Sequence, residues 1–303
     1  MDPKQFLEEV FRLVIYSIYP LFVLYSNFVF LGLFVLSKNV FPHSAVLIFF
    51  VIIKILLTFS ILYFVLLSNT DSKSTQDIFP LASEFKTNRN FKNINPFIAD
   101  TLLEKSIEKT HICSTCQTYK PPRCHHCSRC NRCYLKYDHH CLFLDACIGF
   151  HNYKFFLQFL ISNFLYVVFY TIVILLEFGM EKQHTTSITV NVIIFTVVAV
   201  GIIFVTFQTI LVQFKTLPNN ETFIEFLVIN EYLKGDHSHI NVFQEGPITE
   251  FSDSKDRKVL NPYNLGLRQN LKAVFGSSVL EWISPSFTSI GDGISFVKNT
   301  DSE

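Results

Sequence analysis

Excess charge of either sign is missing from this 303-residue chain, in which 25 Lys and Arg stand against 25 Asp and Glu. Nucleic acid is held by a basic surface, so nothing in the overall charge points to that partner. Charge of any kind is scarce, at 17% of residues, where soluble domains carry about a quarter. Internal repeats are absent, and no recognition module such as ankyrin repeats is visible. Cysteine is missing on both sides of the stretch from Cys113 to Cys147, which holds all eight. What fills the chain instead is apolar. Half of the residues are hydrophobic and 34 are Phe, a balance that suits lipid-facing helices rather than a soluble globule.

Four apolar segments are long enough for a bilayer, which takes roughly 20 helical residues. They run over about 13–36, 45–67, 155–178 and 188–214. Pro20 is read as a kink within the first, and that segment lacks a signal-peptide cleavage site, so it is expected to remain. Runs such as FVIIKILL and VVFYTIVILL show no polar face, which argues against buried soluble helices. The loop between the second and third segments carries twelve Lys and Arg, from Lys73 to Lys154, whereas the two short loops hold only Lys38 and Lys182. Basic loops stay inside, so this loop and both termini are expected in the cytosol. Clustered thiols in a reducing compartment read as metal ligands or catalysts, not disulfides. Two charges fall within the apolar segments. Glu177 is expected at the interface, and Lys54 snorkels, faces the bundle interior or serves a function.

The long loop contains HICSTC at 111–116, CHHCSRCNRC at 124–133, DHHC at 138–141 and finally Cys147. Cysteines two residues apart suit tetrahedral zinc, because a tight turn brings both sulfurs to one ion at about 2.3 Å. Spacing alone leaves the pairing open, since His125, His126, His139, His140 and His151 are also candidate ligands. A ferredoxin-type cluster is disfavoured: its last gap is three residues followed by Pro, whereas here Tyr134 follows a two-residue gap at Cys133. If histidines fill some positions, at least one thiol is spare for chemistry.

Written as C-x2-C-x3-KPPR-x2-HC-x2-C-x2-C-x4-DHHC-x5-C-x4-N, the block from Cys113 onward resembles the cysteine-rich domain of DHHC-type protein S-acyltransferases (palmitoyltransferases). NPYNLGLRQNLKAVFG resembles the family's C-terminal motif through Asn261, Gly266 and Asn270, and Thr222–Glu225 resembles its Thr-Thr-x-Glu motif. The resemblance implies an α-helical multi-pass membrane protein: four transmembrane helices, with a cytosolic zinc-binding domain between the second and third. The expected divisions are a cytosolic N-terminus (1–12), two spans (13–67), the zinc domain (68–154), two more spans (155–214) and a cytosolic C-terminal region (215–303).

Carried over by position, the resemblance implies two structural zinc ions. One would be held by Cys113, Cys116, His126 and Cys133, the other by Cys127, Cys130, His140 and Cys147. Cys141 then falls on the nucleophile, His139 on the base and Asp138 on the residue that orients it, while Cys124 is left as a buried spectator. The implied reaction moves a long-chain acyl group from acyl-CoA, typically palmitoyl-CoA, through Cys141 to membrane-proximal cysteines of protein substrates. Consecutive residues are not expected to form such a relay in an extended strand, so a zinc-held turn is expected at 138–141. Lys120 and Arg123 are candidates for the CoA phosphates, with ordinary attraction to the membrane surface as the alternative. An endomembrane (ER or Golgi) or the plasma membrane would be its location.

Four positions depart from the family pattern. Leu142-Phe143 replaces Pro-Trp, Asp145 replaces an Asn, Phe223 replaces the second Thr of Thr-Thr-x-Glu, and SNTDSK stands where Asp-Pro-Gly is usual. A catalytically inactive, membrane-anchored zinc scaffold is therefore the rival reading.

Overall fold

The computed structural model describes residues 17, 19–30, 32, 43–69, 73–79, 112–180, 183–236 and 260–299. In chain order these form α1 (Tyr19–Phe30), α2 (His43–Asn69), the one-turn α3 (Thr75–Ile78), and the short strands β1 (His125–Cys127), β2 (Arg132–Tyr134), β3 (His139–Cys141) and β4 (Ala146–Ile148). Next come α4 (Tyr153–Met180), α5 (Thr186–Thr216), α6 (Phe223–Leu233), α7 (Leu267–Phe275) and α8 (Val279–Ile283). The strands pair two by two, β1 with β2 and β3 with β4.

Among the described residues, α2, α4 and α5 are long and apolar enough to cross a membrane. At about 1.5 Å per residue their 27, 28 and 31 residues extend roughly 40–46 Å. These three match the second, third and fourth expected spans. The expected first span is described continuously only as α1, which is too short to cross a bilayer on its own, and most of its other residues lie outside the described set. The tail stretch 237–259 and most of 68–110 also lie outside it.

By their contacts the described residues fall into two compact units. One gathers the described residues up to Asn69, Cys141–Ala146 and Phe155–Gln213. Its core packs Phe22, Val29, Ile53 and Leu57 with Tyr166, Tyr170, Ile174 and Phe195. Ser26 ties α1 to α4: its Oγ lies 2.7 Å from the Tyr166 hydroxyl, and its carbonyl accepts from Tyr170 Oη at 2.8 Å. Such bonds matter more than apolar burial in choosing helix partners in lipid, because tails solvate Leu as well as another helix does. Val51, Ile172 and Val197 accordingly remain on the outside. Glu177, expected at the membrane interface, lies in the last turn of α4 and is buried against the protein. It lies one turn beyond buried Val173 and Ile174, on the face of α4 that is turned inward.

The other unit holds residues 73–79, 112–140, Cys147–Lys154 and the described residues from Phe214 onward. Its C-terminal part is fastened to Lys154, whose Nζ donates to the carbonyls of Glu281 (2.6 Å) and Ser286 (2.8 Å) and to Thr288 Oγ1 (2.7 Å). Phe150 lies against Gly293, which has φ +75° and where a Cβ would come within 2.7 Å of the ring. The family-like asparagines tie this part to residues 218–219. Asn261 Nδ2 donates to Asn219 O, and Asn270 Nδ2 donates to Pro218 O and Asn264 Oδ1.

Candidate metal centres and active site

Each Cys-x2-Cys pair forms a knuckle. Cys116 N–H points at Cys113 Sγ (3.4 Å) and Cys130 N–H at Cys127 Sγ (3.5 Å). The residue after each pair, Gln117 or Asn131, turns left-handed (φ +55° and +53°), which swings the chain away from the sulfurs. The β1–β2 register sets His126 opposite Cys133, and β3 and β4 bring up His140 and Cys147.

Two four-residue sets result, Cys113–Cys116–His126–Cys133 and Cys127–Cys130–His140–Cys147, and each could hold a metal ion. His126 Nδ1 lies 3.7, 3.3 and 3.7 Å from the sulfurs of Cys113, Cys116 and Cys133. His140 Nδ1 lies 3.8, 3.4 and 3.5 Å from those of Cys127, Cys130 and Cys147. A tetrahedron built with usual zinc–sulfur and zinc–nitrogen lengths has an N···S edge of roughly 3.6 Å, so both sets have the size zinc requires. Their chemistry agrees. A hydrogen bond from Cys147 first, and His140 after burial's opposing push, draw the Cys130 thiol down to about 4, while the same bond and burial drive Cys147 up. Crowded thiols thus share protons, and a dication in their midst would let them all ionise.

Asp138 precedes β3 and is buried, with both carboxylate oxygens engaged. Oδ2 lies 2.8 Å from His139 Nδ1, and Oδ1 accepts the backbone N–H of Phe223 at 2.8 Å. Because a main-chain N–H is present whether the side chain is Thr or Phe, the Phe223 departure leaves this anchor intact. The Phe223 ring adds an edge-on contact with His139, 6.4 Å between centroids. The turn expected at 138–141 is not what forms. Residues 139–141 are a strand, and the turn follows at 142–145. Strand alternation resolves the difference: His140 takes the face toward its sulfur partners, and positions 139 and 141 take the opposite face. Cys141 is a half-buried free thiol that belongs to neither four-residue set. Cys124 is buried against the first set.

Of the two expected phosphate contacts, Lys120 is half-exposed but Arg123 is buried. Arg123 grips Glu225 with two bonds of 2.7 Å, donates to Asn220 O at 2.6 Å, and lies 4.5 Å over the ring of Tyr263. Burial pushes the Glu225 carboxyl up, but the guanidinium and its hydrogen bonds outweigh that and hold it below the usual carboxylate range. Lys136 donates to Asn220 Oδ1 at 2.9 Å, and burial, reinforced by the Arg123 charge, pushes its amine down to about 7. Sequence reasoning missed this cluster. The one available signal was Glu225 in a Thr-initiated capping box, which the fold confirms: Thr222 Oγ1 accepts from Glu225 N, and Glu225 Oε2 accepts from Thr222 N.

Comparison with known proteins is consistent with this arrangement. Residues 106–230 match the family model described as DHHC palmitoyltransferase. Palmitoyltransferase ZDHHC15 of Xenopus laevis is 36% identical over 191 residues, 62% of this chain and 50% of that protein. Palmitoyltransferase ZDHHC2 of Homo sapiens is 33% identical over 186 residues (61% and 45%), and Palmitoyltransferase PFA3 of Candida glabrata is 28% identical over 191 (60% and 54%). The chain spans about half the length of the curated relatives it matches.

Proposed function

Taking the chain as a member of the DHHC palmitoyltransferase family and an integral membrane protein, we propose that it is a protein-cysteine S-acyltransferase with Cys141 as its nucleophile. One observation carries the reading. On β3, His140 is committed to a metal-ligand set, while His139 is clamped by Asp138 and shares its strand face with a thiol that no set uses. A scaffold needs neither the clamped imidazole nor the spare thiol.

An ordinary cysteine, with a pKa of about 8.5, is only a few per cent thiolate at neutral pH. His139 accepts the Cys141 proton, and Asp138 stabilises the resulting imidazolium, as the carboxylate does in acyl-transfer triads. The Cys141 thiolate attacks the thioester carbonyl of a long-chain acyl-CoA. The bond from carbonyl carbon to the CoA sulfur breaks, CoA leaves as a thiolate and takes up a proton, and acyl-Cys141 remains. A substrate cysteine then attacks that thioester in the same way and releases Cys141. Palmitoyl is the expected group. Its CH₂ units each gain about 0.8 kcal/mol on burial, and the helical unit, which includes Cys141–Ala146, offers the apolar surroundings. The half-exposed Lys120 is suited to meeting CoA phosphates, and Arg123 is assigned instead to holding Glu225.

Each four-residue set would hold one Zn²⁺, whose four protein ligands leave no open position, so the metal supplies folding energy rather than chemistry. Substrates are proteins with cysteines near the cytosolic face of an endomembrane or the plasma membrane. Purified full-length protein in nanodiscs, given labelled palmitoyl-CoA and a membrane-tethered cysteine acceptor, should label first itself and then the acceptor through hydroxylamine-sensitive bonds. Absence of both labels would overturn the proposal.

A further inference from the structure

Lys54 lies eleven residues after His43 and fifteen before Asn69 in α2, so about 16 Å and 22 Å of helix separate it from the two ends. Extended, its side chain spans only about 6 Å, too short to carry the ammonium out of a hydrocarbon core about 30 Å thick from that depth. It does not snorkel. Nζ donates to Asn27 Oδ1 at 2.6 Å and lies 5.2 Å from the centre of the Phe50 ring. An ammonium has three N–H donors, and among the described residues no carboxylate comes within ion-pair distance of this one.

Beside it runs a groove of about 310 Å³ on α2, lined by Phe50, Val51, Lys54, Ile55, Thr58 and Phe59. These residues form two neighbouring rows spaced by four, 50–54–58 and 51–55–59, the ridge pattern into which another helix packs. Thr58 Oγ1 is already bonded to the Lys54 carbonyl, which leaves the ammonium as the groove's unsaturated polar group. Lipid cannot supply its partner, because phosphates sit at the bilayer surfaces and acyl tails carry no acceptor at this depth. A helix can.

We propose that this face of α2 docks a membrane-spanning helix of a partner protein that carries a carboxylate at mid-bilayer depth and pairs it with Lys54. The inference goes beyond acyl transfer and requires only that α2 spans the bilayer.

The test uses the full-length chain, donor-labelled, in phosphatidylcholine vesicles with acceptor-labelled Leu/Ala helices of roughly 20 residues. One probe helix has a single central Glu and the other has Leu there. Energy transfer should show the Glu helix associating roughly three- to thirty-fold more tightly, the range of polar contacts between membrane helices. Lys54→Met should abolish the preference and Lys54→Arg should keep it. Equal association of the two probes with the unaltered protein overturns the proposal, and that comparison stands even if the Met variant fails to fold. A preference that survives Lys54→Met overturns it too. So does one erased by adding phosphatidylserine, which would make the groove a site for anionic lipid.

Discussion

Replacing Glu225 by Gln leaves the Arg123 guanidinium buried without its counter-charge. Both side chains are shut from solvent, at 1% and 0% relative exposure, and two bonds of 2.7 Å join them. Breaking such a pair on one side costs about 3–5 kcal/mol, because the remaining charge stays desolvated. At about 2–4 °C per kcal/mol, the unfolding midpoint should fall by roughly 6–20 °C. Trp282 is the only tryptophan of the chain and lies in the same unit, its ring tilted against that of Phe275 at 5.5 Å between centroids, so its emission reports unfolding of that unit alone. The Glu225 carboxyl is lowered in the folded state. Its contribution is therefore present above the ordinary carboxylate range and lost as pH falls through the lowered value, so the midpoints of the two proteins should converge in acid. Removing both charges, as Arg123→Met with Glu225→Leu, should cost less than Glu225→Gln alone. A single-variant cost below about 1 kcal/mol, or no convergence in acid, refutes the reasoning.

His140→Ala should lose one zinc ion and destabilise the protein, whereas His139→Ala should keep two zinc ions by elemental analysis. The same His139 variant should acylate slowly at neutral pH, with its deficit shrinking as pH rises and more thiolate forms unaided. Lys136 titrates near 7 in the fold against roughly 10.4 unfolded, so the unfolded state binds the extra proton between those values and stability should rise with pH across that window. Lys136→Met should flatten the rise in calorimetric or Trp282 midpoints, and an unchanged slope would show that another group is responsible.

That the loop binds metal was legible from its cysteine spacing, but the division into two sets came only from the family resemblance, and the fold brings those same residues together through knuckles and three-residue strand pairings. Three of the four apolar segments were legible for a similar reason, since length and composition suffice. The partner of Arg123 was not. Its carboxylate lies 102 residues away, and a basic loop residue looks the same in sequence whether it meets a phosphate or a buried acid. The strand at 139–141 was missed because three residues carry no periodicity, and it is the pairing with β4 that makes them a strand. That Glu177 sits on the inward face of α4 was not legible, because the segment has apolar residues all round and its pattern does not say which face turns inward. The Phe223 departure looked like a lost hydroxyl, but the atom that reaches Asp138 is a main-chain nitrogen that no alignment of side chains reveals.

The central claim is that Cys141 carries the acyl group. Intact-mass analysis of the purified full-length protein after exposure to palmitoyl-CoA should show the gain of one palmitoyl group. Peptide mapping should place it on Cys141, and hydroxylamine should remove it. Cys141→Ser should hold two zinc ions and gain no mass. A palmitoyl group mapped to Cys124, or retained in full by Cys141→Ser, would contradict the account.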